Sequence, residues 1–331
     1  MAAVTFSYAE YFGQISILGD LLLDGRERPW LTAMPAQPER KQYVVWLGCN
    51  VLRTVHIIET LDDILHHIGL DYVMLGGAAN CCGVQHARRG DAESGRKIAW
   101  NTFDRFDAFQ PDRLLFWCPS CDHRLNGMGN DLSELATQRQ HVTEFFVEHL
   151  DRFDFKPLHA KVAIHAHTGT PQQDQDAAAT RTLLQAIPGL EIVDLPRTQE
   201  IGFHCADPKI AQLPSGRFGE ILNESVAAAV DRGVDTLVTI YHACHRELVP
   251  AENDDDALGP IKVENYVSLL ARSLGLPEHP DRYKHFAQLG DAAAIVAELQ
   301  PRIAELGIAP ERAERAITAQ FGTPSALVRA R

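Results

Sequence analysis

The chain has 331 residues, 45% of them hydrophobic and 23% charged, with a formal net charge of -13 at pH 7. That length and apolar share suit one large globular domain or two smaller ones and exclude a chain disordered throughout. The acidic balance would repel a phosphate backbone, which excludes nucleic acid as a partner, and no apolar run reaches the roughly 20 residues that span a bilayer.

Residues 1–40 read as an N-terminal extension with one apolar piece, Ile15 to Leu23, ending in a linker-like stretch from Pro35 to Arg40. The start shows no basic segment leading into an apolar core, so a cytoplasmic protein is expected. A strand is predicted over Gln42 to Leu47. A helix follows over Thr54 to Leu70, in which Ile57, Leu61, Ile64, Leu65 and Ile68 share one apolar face. A strand over Asp71 to Leu75, a helix over Ala92 to Phe109 and a strand over Arg113 to Trp117 come next.

The second half repeats the first. "YVVWLGCNV" lies over "KVAIHAHTG" and "DRLLFWCPSCDHRL" over "VDTLVTIYHACHREL". Helix-like runs also recur, "VTEFFVEHL" from Val142 and "VENYVSLLA" from Val263, and 39 positions separate Cys82 from Cys121 and again Cys205 from Cys244. The chain therefore divides into an extension (1–40), a first unit (41–155), a second unit (156–275) and an Ala- and Glu-rich helical extension (276–331). Alternating strands and helices predict an α/β fold: two tandem, pseudo-symmetric Rossmann-like units with parallel sheets, flanked by helical ends that serve packing or contact with other subunits.

Seven cysteines, an odd number, are too few for a disulfide scaffold. Five of them, Cys49, Cys81, Cys82, Cys118 and Cys121, fall at the carboxyl ends of the first unit's predicted strands, where parallel sheets form their ligand crevice. The spacing is Cys, 31 residues, Cys-Cys, 35 residues, Cys-x-x-Cys. Three chemistries are open to such a set. One is iron-sulfur ligation. Another is structural zinc, which leaves the adjacent pair unexplained because neighbouring residues rarely both reach one small ion. The third is a thiol-disulfide pair at "CPSC".

In the second unit Cys205 and Cys244 persist, while His167, His204 and Tyr241 replace Cys49, Cys81 and Cys118. With His242 and His245 close by, a second metal site is expected among His167, His204, Cys205, His242, Cys244 and His245, for zinc or a differently ligated iron cluster. The alternative is a decayed repeat whose histidines line a crevice. His165 is set aside, since strand alternation turns it to the opposite face. His123 and Arg88 are candidates for the edge of the first site; Arg88 and Arg89 either steer an anionic substrate or form a solvated helix entry. His66 and His67 read as helix-surface residues, and the acidic run 251–259 as a solvated loop. No glycine-rich dinucleotide or phosphate loop is present, so nucleotide and flavin would sit on other subunits.

Cys49, Cys81, Cys82, Gly83, Cys118 and Cys121, at these separations, resemble the cysteine-rich CCG domain found in one subunit of heterodisulfide reductases and in related components of glycolate and lactate oxidases. The reductase component carries two such domains in tandem, so the resemblance covers about residues 41–275. It implies that the five cysteines hold a noncubane [4Fe-4S] cluster. It further implies an oxidoreductase subunit that exchanges electrons with a thiol, disulfide or sulfane-sulfur substrate. The implied setting is a heterodisulfide reductase-like complex, such as that of sulfur oxidisers, with flavoprotein and ferredoxin-like iron-sulfur subunits as partners. The departures at His167, His204 and Tyr241 argue against a second cluster of the same kind. Two other readings stand beside this one: a zinc-binding assembly or interaction module, and an electron-relay component of a glycolate or lactate oxidase.

Overall fold

The structure is a computed structural model that describes residues 6–25, 27–128, 132–197, 200–253 and 261–322. Helix α1 (Tyr8–Leu22) leads into β1 (Tyr43–Gly48), α2 (Val55–His67), β2 (Tyr72–Gly76), α3 (Val84–Ala87), α4 (Ala92–Asp107), β3 (Arg113–Phe116), α5 (Pro119–Asn126), α6 (Glu134–Thr137), β4 (Arg139–His141) and α7 (Val142–Glu148). The second half runs β5 (Ala160–His165), α8 (Pro171–Gln185), β6 (Leu190–Val193), α9 (Arg217–Val230), β7 (Thr236–Thr239), α10 (His242–Leu248), β8 (Lys262–Asn265) and α11 (Tyr266–Leu274). Three helices close the described chain: α12 (Arg282–Leu289), α13 (Ala292–Glu305) and α14 (Pro310–Phe321).

Each half builds a four-stranded parallel sheet, and the strand orders match: β2-β1-β3-β4 and β6-β5-β7-β8. The repeat read in the sequence is thus a repeat of topology. In both sheets the chain leaves the first strand to one side and returns on the other. The order reverses between β1 and β3, and between β5 and β7, which is where α/β sheets open a crevice at their strands' carboxyl ends.

The fourth strand of each sheet was not expected. β4 has three residues and β8 four, too few to show an alternating pattern, and both lie at a sheet edge. The helix expected from Val263 starts instead at Tyr266. Asn265 has extended angles, and its side chain accepts a hydrogen bond from the Val267 N–H at 3.3 Å, capping the helix where the strand stops. His141 does the same for α7.

Successive residues of β1 and β3 bury opposite faces. Val44, Trp46, Leu114 and Phe116 pack on Phe103 and Phe106 of α4. Val45, Leu47, Leu115 and Trp117 enter a core shared with the second half, where the Trp117 and Tyr266 rings stack with centroids 5.8 Å apart. Burying one Leu or Phe contributes roughly 1.5–3 kcal/mol, so this common core fastens the two sheets into one body. The terminal helices join it: α1 lies against α14, α13 and the turn Asn50–Arg53. The extensions therefore pack on each other and beside the segment that follows Cys49. Among the described residues no helix is long and apolar enough to cross a membrane.

Candidate functional site

Gly48 ends β1 at a φ of +75°, and a side chain there would bring its Cβ to 3.1 Å from both the Cys118 Cβ and the Cys121 Sγ. Its absence leaves room for the thiols to converge. Cys49 follows and starts the turn Asn50–Arg53. The adjacent pair is fixed by the sheet beside it. The Asn80 amide donates to the Gly76 carbonyl at 2.9 Å, Trp46 Nε1 donates to the Asn80 carbonyl at 2.7 Å, and the Thr102 hydroxyl donates to the Cys81 carbonyl at 2.9 Å. Gly83 then turns the chain at a φ of +73°, and a Cβ on it would lie 2.0 Å from the Gly95 carbonyl oxygen. Only glycine satisfies both demands. Cys118 caps α5, with Pro119 in the first turn and Cys121 one turn on, so both thiols sit at the positive end of a helix.

The two neighbouring thiols face different partners. Cys81 interacts with Cys49 and Cys82, Cys82 also with Cys121, and Cys121 with Cys118, so the five form one connected chain. All are buried. They cannot all ionise together, because each thiolate raises its neighbours. Hydrogen bonds from Cys49 and Cys82 hold Cys81 well below the usual thiol range, and Cys121 lowers Cys118 in the same way. Cys49 is driven well above that range by its bond to Cys81 and by burial, and Cys121 by its bonds to Cys118 and Cys82. Full ionisation of this set requires a cationic centre among the sulfurs.

A cavity of about 200 Å³ opens on these thiols. Cys49, Cys82, Cys118 and Cys121 line one side; His204, His242 and Arg246 from the second half line the other, with Arg53 and Tyr11 at the margin. Burial, reinforced by the charge of Arg246, lowers Arg53 to about 10. The Nε of Arg53, the Nε of Arg246 and the Nδ1 of His242 are buried without a hydrogen-bond partner. Five thiols, a side-chain-free position at Gly48, open space and unmatched cationic donors suit a metal-sulfur group that carries net negative charge.

Arg88 lines this cavity. His123 does not; it stacks on Phe203 at 4.6 Å in a neighbouring pocket of about 500 Å³, which Arg88 also borders. Arg89 lies over the Phe6 ring and donates to Gln85. His66 is exposed and bonds Tyr72 at 2.7 Å. Most of the acidic run falls outside the described residues; Glu252 within it pairs with Lys284 at 2.9 Å. Sequence reading missed Arg53, Arg246 and Tyr11. Arg246 had one usable sign: in the repeat it stands where the first unit has His123, just past the last motif cysteine.

In the second half a different group assembles. His165, His167, Cys205 and Cys244 are all buried, with one ligand atom of each within 4.8 Å of the others. His165 Nε2 lies 3.4 Å from Cys205 Sγ, and His167 Nε2 lies 3.4 Å from Cys205 Sγ and 3.2 Å from Cys244 Sγ. Burial acts to raise the Cys244 thiol, yet its bond with Cys205 and the charge of His167 hold it well below the ordinary range. The exclusion of His165 by strand alternation is corrected by this geometry. β5 ends at that residue, so the pleat does not continue to His167, and the two rings meet at 81° with centroids 5.0 Å apart.

Three of the expected ligands lie elsewhere. His204 Nε2 meets the Ser120 hydroxyl at 2.6 Å and His204 Nδ1 accepts from the Ala206 N–H at 2.8 Å. His242 borders the thiol cavity, and His245 bonds Asp281 at 2.7 Å, an acid that also meets His56 at 3.2 Å. Tyr241, in the place of Cys118, donates to the Asp176 carboxylate at 2.6 Å and is part of the core.

The family model of the cysteine-rich domain CCG matches twice, over residues 43–126 and 164–249, together just over half of the chain. A component of the dihydromethanophenazine:CoB–CoM heterodisulfide reductase of Methanosarcina acetivorans is 24% identical over 272 residues, 77% of this chain and 64% of that protein. Its counterpart in Methanosarcina barkeri is 25% identical over 72% of this chain and 60% of its own length. A probable iron-sulfur-binding oxidoreductase of Bacillus subtilis, FadF, is 22% identical over 75% of this chain and 36% of its own length. The chain thus spans less than two thirds of the length of these relatives.

Proposed function

Because this chain belongs to the family of the cysteine-rich CCG domain, we propose that it is an iron-sulfur redox subunit whose first unit binds a [4Fe-4S] cluster through Cys49, Cys81, Cys82, Cys118 and Cys121. The observation that carries the reading is the connected set of five buried thiols at the reversal point of a parallel sheet, four of them lining one cavity. Five thiols are one more than a cubane needs, which supports the noncubane form.

Bound there, the cluster would supply one-electron transfer and iron to which a substrate sulfur can attach. The chain's own residues set the surroundings. The start of α5 and the Arg53 and Arg246 guanidiniums offset negative charge in the cavity, where burial strengthens each interaction. The Ser120–His204 bond joins the cysteine-bearing helix to the second half and fixes the cavity's far wall. His242, kept uncharged by burial at its well-lowered proton affinity, presents a neutral ring to that space.

The substrate we assign is a thiol, disulfide or sulfane sulfur. Support comes from the relatives named as components of heterodisulfide reductase and from the soft, sulfur-lined site. A flavoprotein and a ferredoxin-like partner would complete the electron path. Anaerobic purification with iron and sulfide analysis and electron paramagnetic resonance tests the reading: about four irons and four sulfides per chain are expected. A well-folded anaerobic preparation with neither, after reconstitution with iron and sulfide, would overturn it.

A further inference from the structure

We propose that the second unit binds a single zinc ion between His165, His167, Cys205 and Cys244, and that this ion anchors the wall facing the thiol cavity. The site is distinct from the five-cysteine set and goes beyond the cluster assignment.

The geometry selects one ion. A tetrahedral zinc with Zn–N near ~2.0 Å and Zn–S near ~2.3 Å has N···S edges of about 3.5 Å. Three of the four His–Cys edges here measure 3.4, 3.4 and 3.2 Å. In a two-iron cluster with mixed ligands the two histidines hold one iron and the two cysteines the other, so each N···S edge would have to span two metals. Both histidines touch Cys205 directly, which that arrangement does not allow. Two thiolates and two neutral imidazoles also cancel the charge of a divalent ion, so the closed site can be buried without a counter-ion.

The far nitrogen of each ring is already held. His167 Nδ1 donates to the Gly202 carbonyl at 3.1 Å and His165 Nδ1 meets the Ser225 hydroxyl at 3.3 Å. Such bonds fix the tautomer and direct the Nε2 lone pairs inward, as metal-binding histidines require. With all four positions filled by protein and no place for water or substrate, the ion is structural.

Its position gives it a task. Cys205 directly follows His204, which bonds Ser120 beside the cysteine helix, and Cys244 lies between His242 and Arg246 in α10. One ion therefore ties the end of β5 to both segments that form the second half's wall over the thiol cavity.

Zinc and iron are measured separately on the same anaerobic protein, so failure of this proposal is distinguishable from failure of the cluster reading. One zinc per chain is expected, with X-ray absorption at the zinc edge showing two sulfur and two nitrogen neighbours. Cys205→Ser and Cys244→Ser should lose that zinc while His204→Ala and His242→Ala keep it. Wild-type protein without zinc after incubation with the ion, iron in its place, an absorption spectrum of four sulfurs, or full zinc retention in both cysteine variants would each overturn the assignment. The wild-type spectrum decides the matter if the serine variants fail to fold.

Discussion

The two sheets have the same strand order, and apart from the short helices α3 and α6 of the first half their elements follow in the same succession, yet their carboxyl edges present different chemistry. In the first, glycines stand at two places where space is needed, Gly48 beside Cys121 and Gly83 against Gly95. In the second, the matching positions are Ala166 and Ala206, and the edge closes around two histidines and two cysteines. A duplicated scaffold keeps its backbone path while each copy's site is decided by a few side chains and by whether room is left among them. The copies also serve one another: Arg246 and His204 of the second reach the first unit's cavity, while His123 of the first stacks on Phe203 of the second.

The largest expected effect is on iron. Cys81→Ser or Cys82→Ser should remove most of the cluster iron and its visible absorption and leave zinc in place, whereas the same change at Cys205 should do the reverse. Full iron retention in either first-unit variant would make that cysteine spare.

Next comes the glycine contrast. Gly83→Ala forces a side chain onto a positive φ and into a carbonyl, and should cost about 3 kcal/mol, read as a lowered denaturation midpoint. The reciprocal Ala206→Gly should cost less than about 1 kcal/mol. Equal effects would mean that the two turns are not under different packing demands.

The seam between the units should give the protein a characteristic acid sensitivity. Burial lowers His56 to about 4, so the folded protein holds it neutral while the unfolded chain takes up that proton near 6.5. The contribution is present in full above the unfolded value and is lost as pH falls from about 6.5 toward 4, by on the order of 3 kcal/mol. Denaturant midpoints measured across that window should fall steadily, and His56→Gln should flatten the slope. An unchanged slope would place the titration elsewhere.

The smallest effect concerns charge across the seam. Arg246→Gln removes a cation from the cavity wall and should lower the cluster's reduction potential by about 60 mV, equivalent to a tenfold shift in a one-electron equilibrium. The same change at Arg88, which is exposed to solvent, should shift it less. A rise in potential would contradict the assigned role.

Much of this was legible in the sequence. The repeat survives as the matching strand orders, and the strand-end placement of the cysteines as the turn that follows Cys49 and the cap at Cys118. Long-range choices were not legible. β4 and β8 form because a neighbouring strand offers hydrogen bonds, not because three or four residues prefer to extend. His165 matches Leu47 in the repeat, a position with no motif cysteine, so aligning the copies could not point to it. His204 matches Cys81 but turns to Ser120 across the seam, and Tyr241 is drawn away by Asp176; both depend on partners remote in sequence.

The most direct test of two different metals on one duplicated scaffold is a paired metal analysis of wild type, Cys82→Ser and Cys244→Ser, purified anaerobically side by side. The expected pattern is iron, sulfide and about one zinc in the wild type, zinc without iron in Cys82→Ser, and iron without zinc in Cys244→Ser. Loss of both metals together in folded variants, or zinc that follows Cys82, would contradict it.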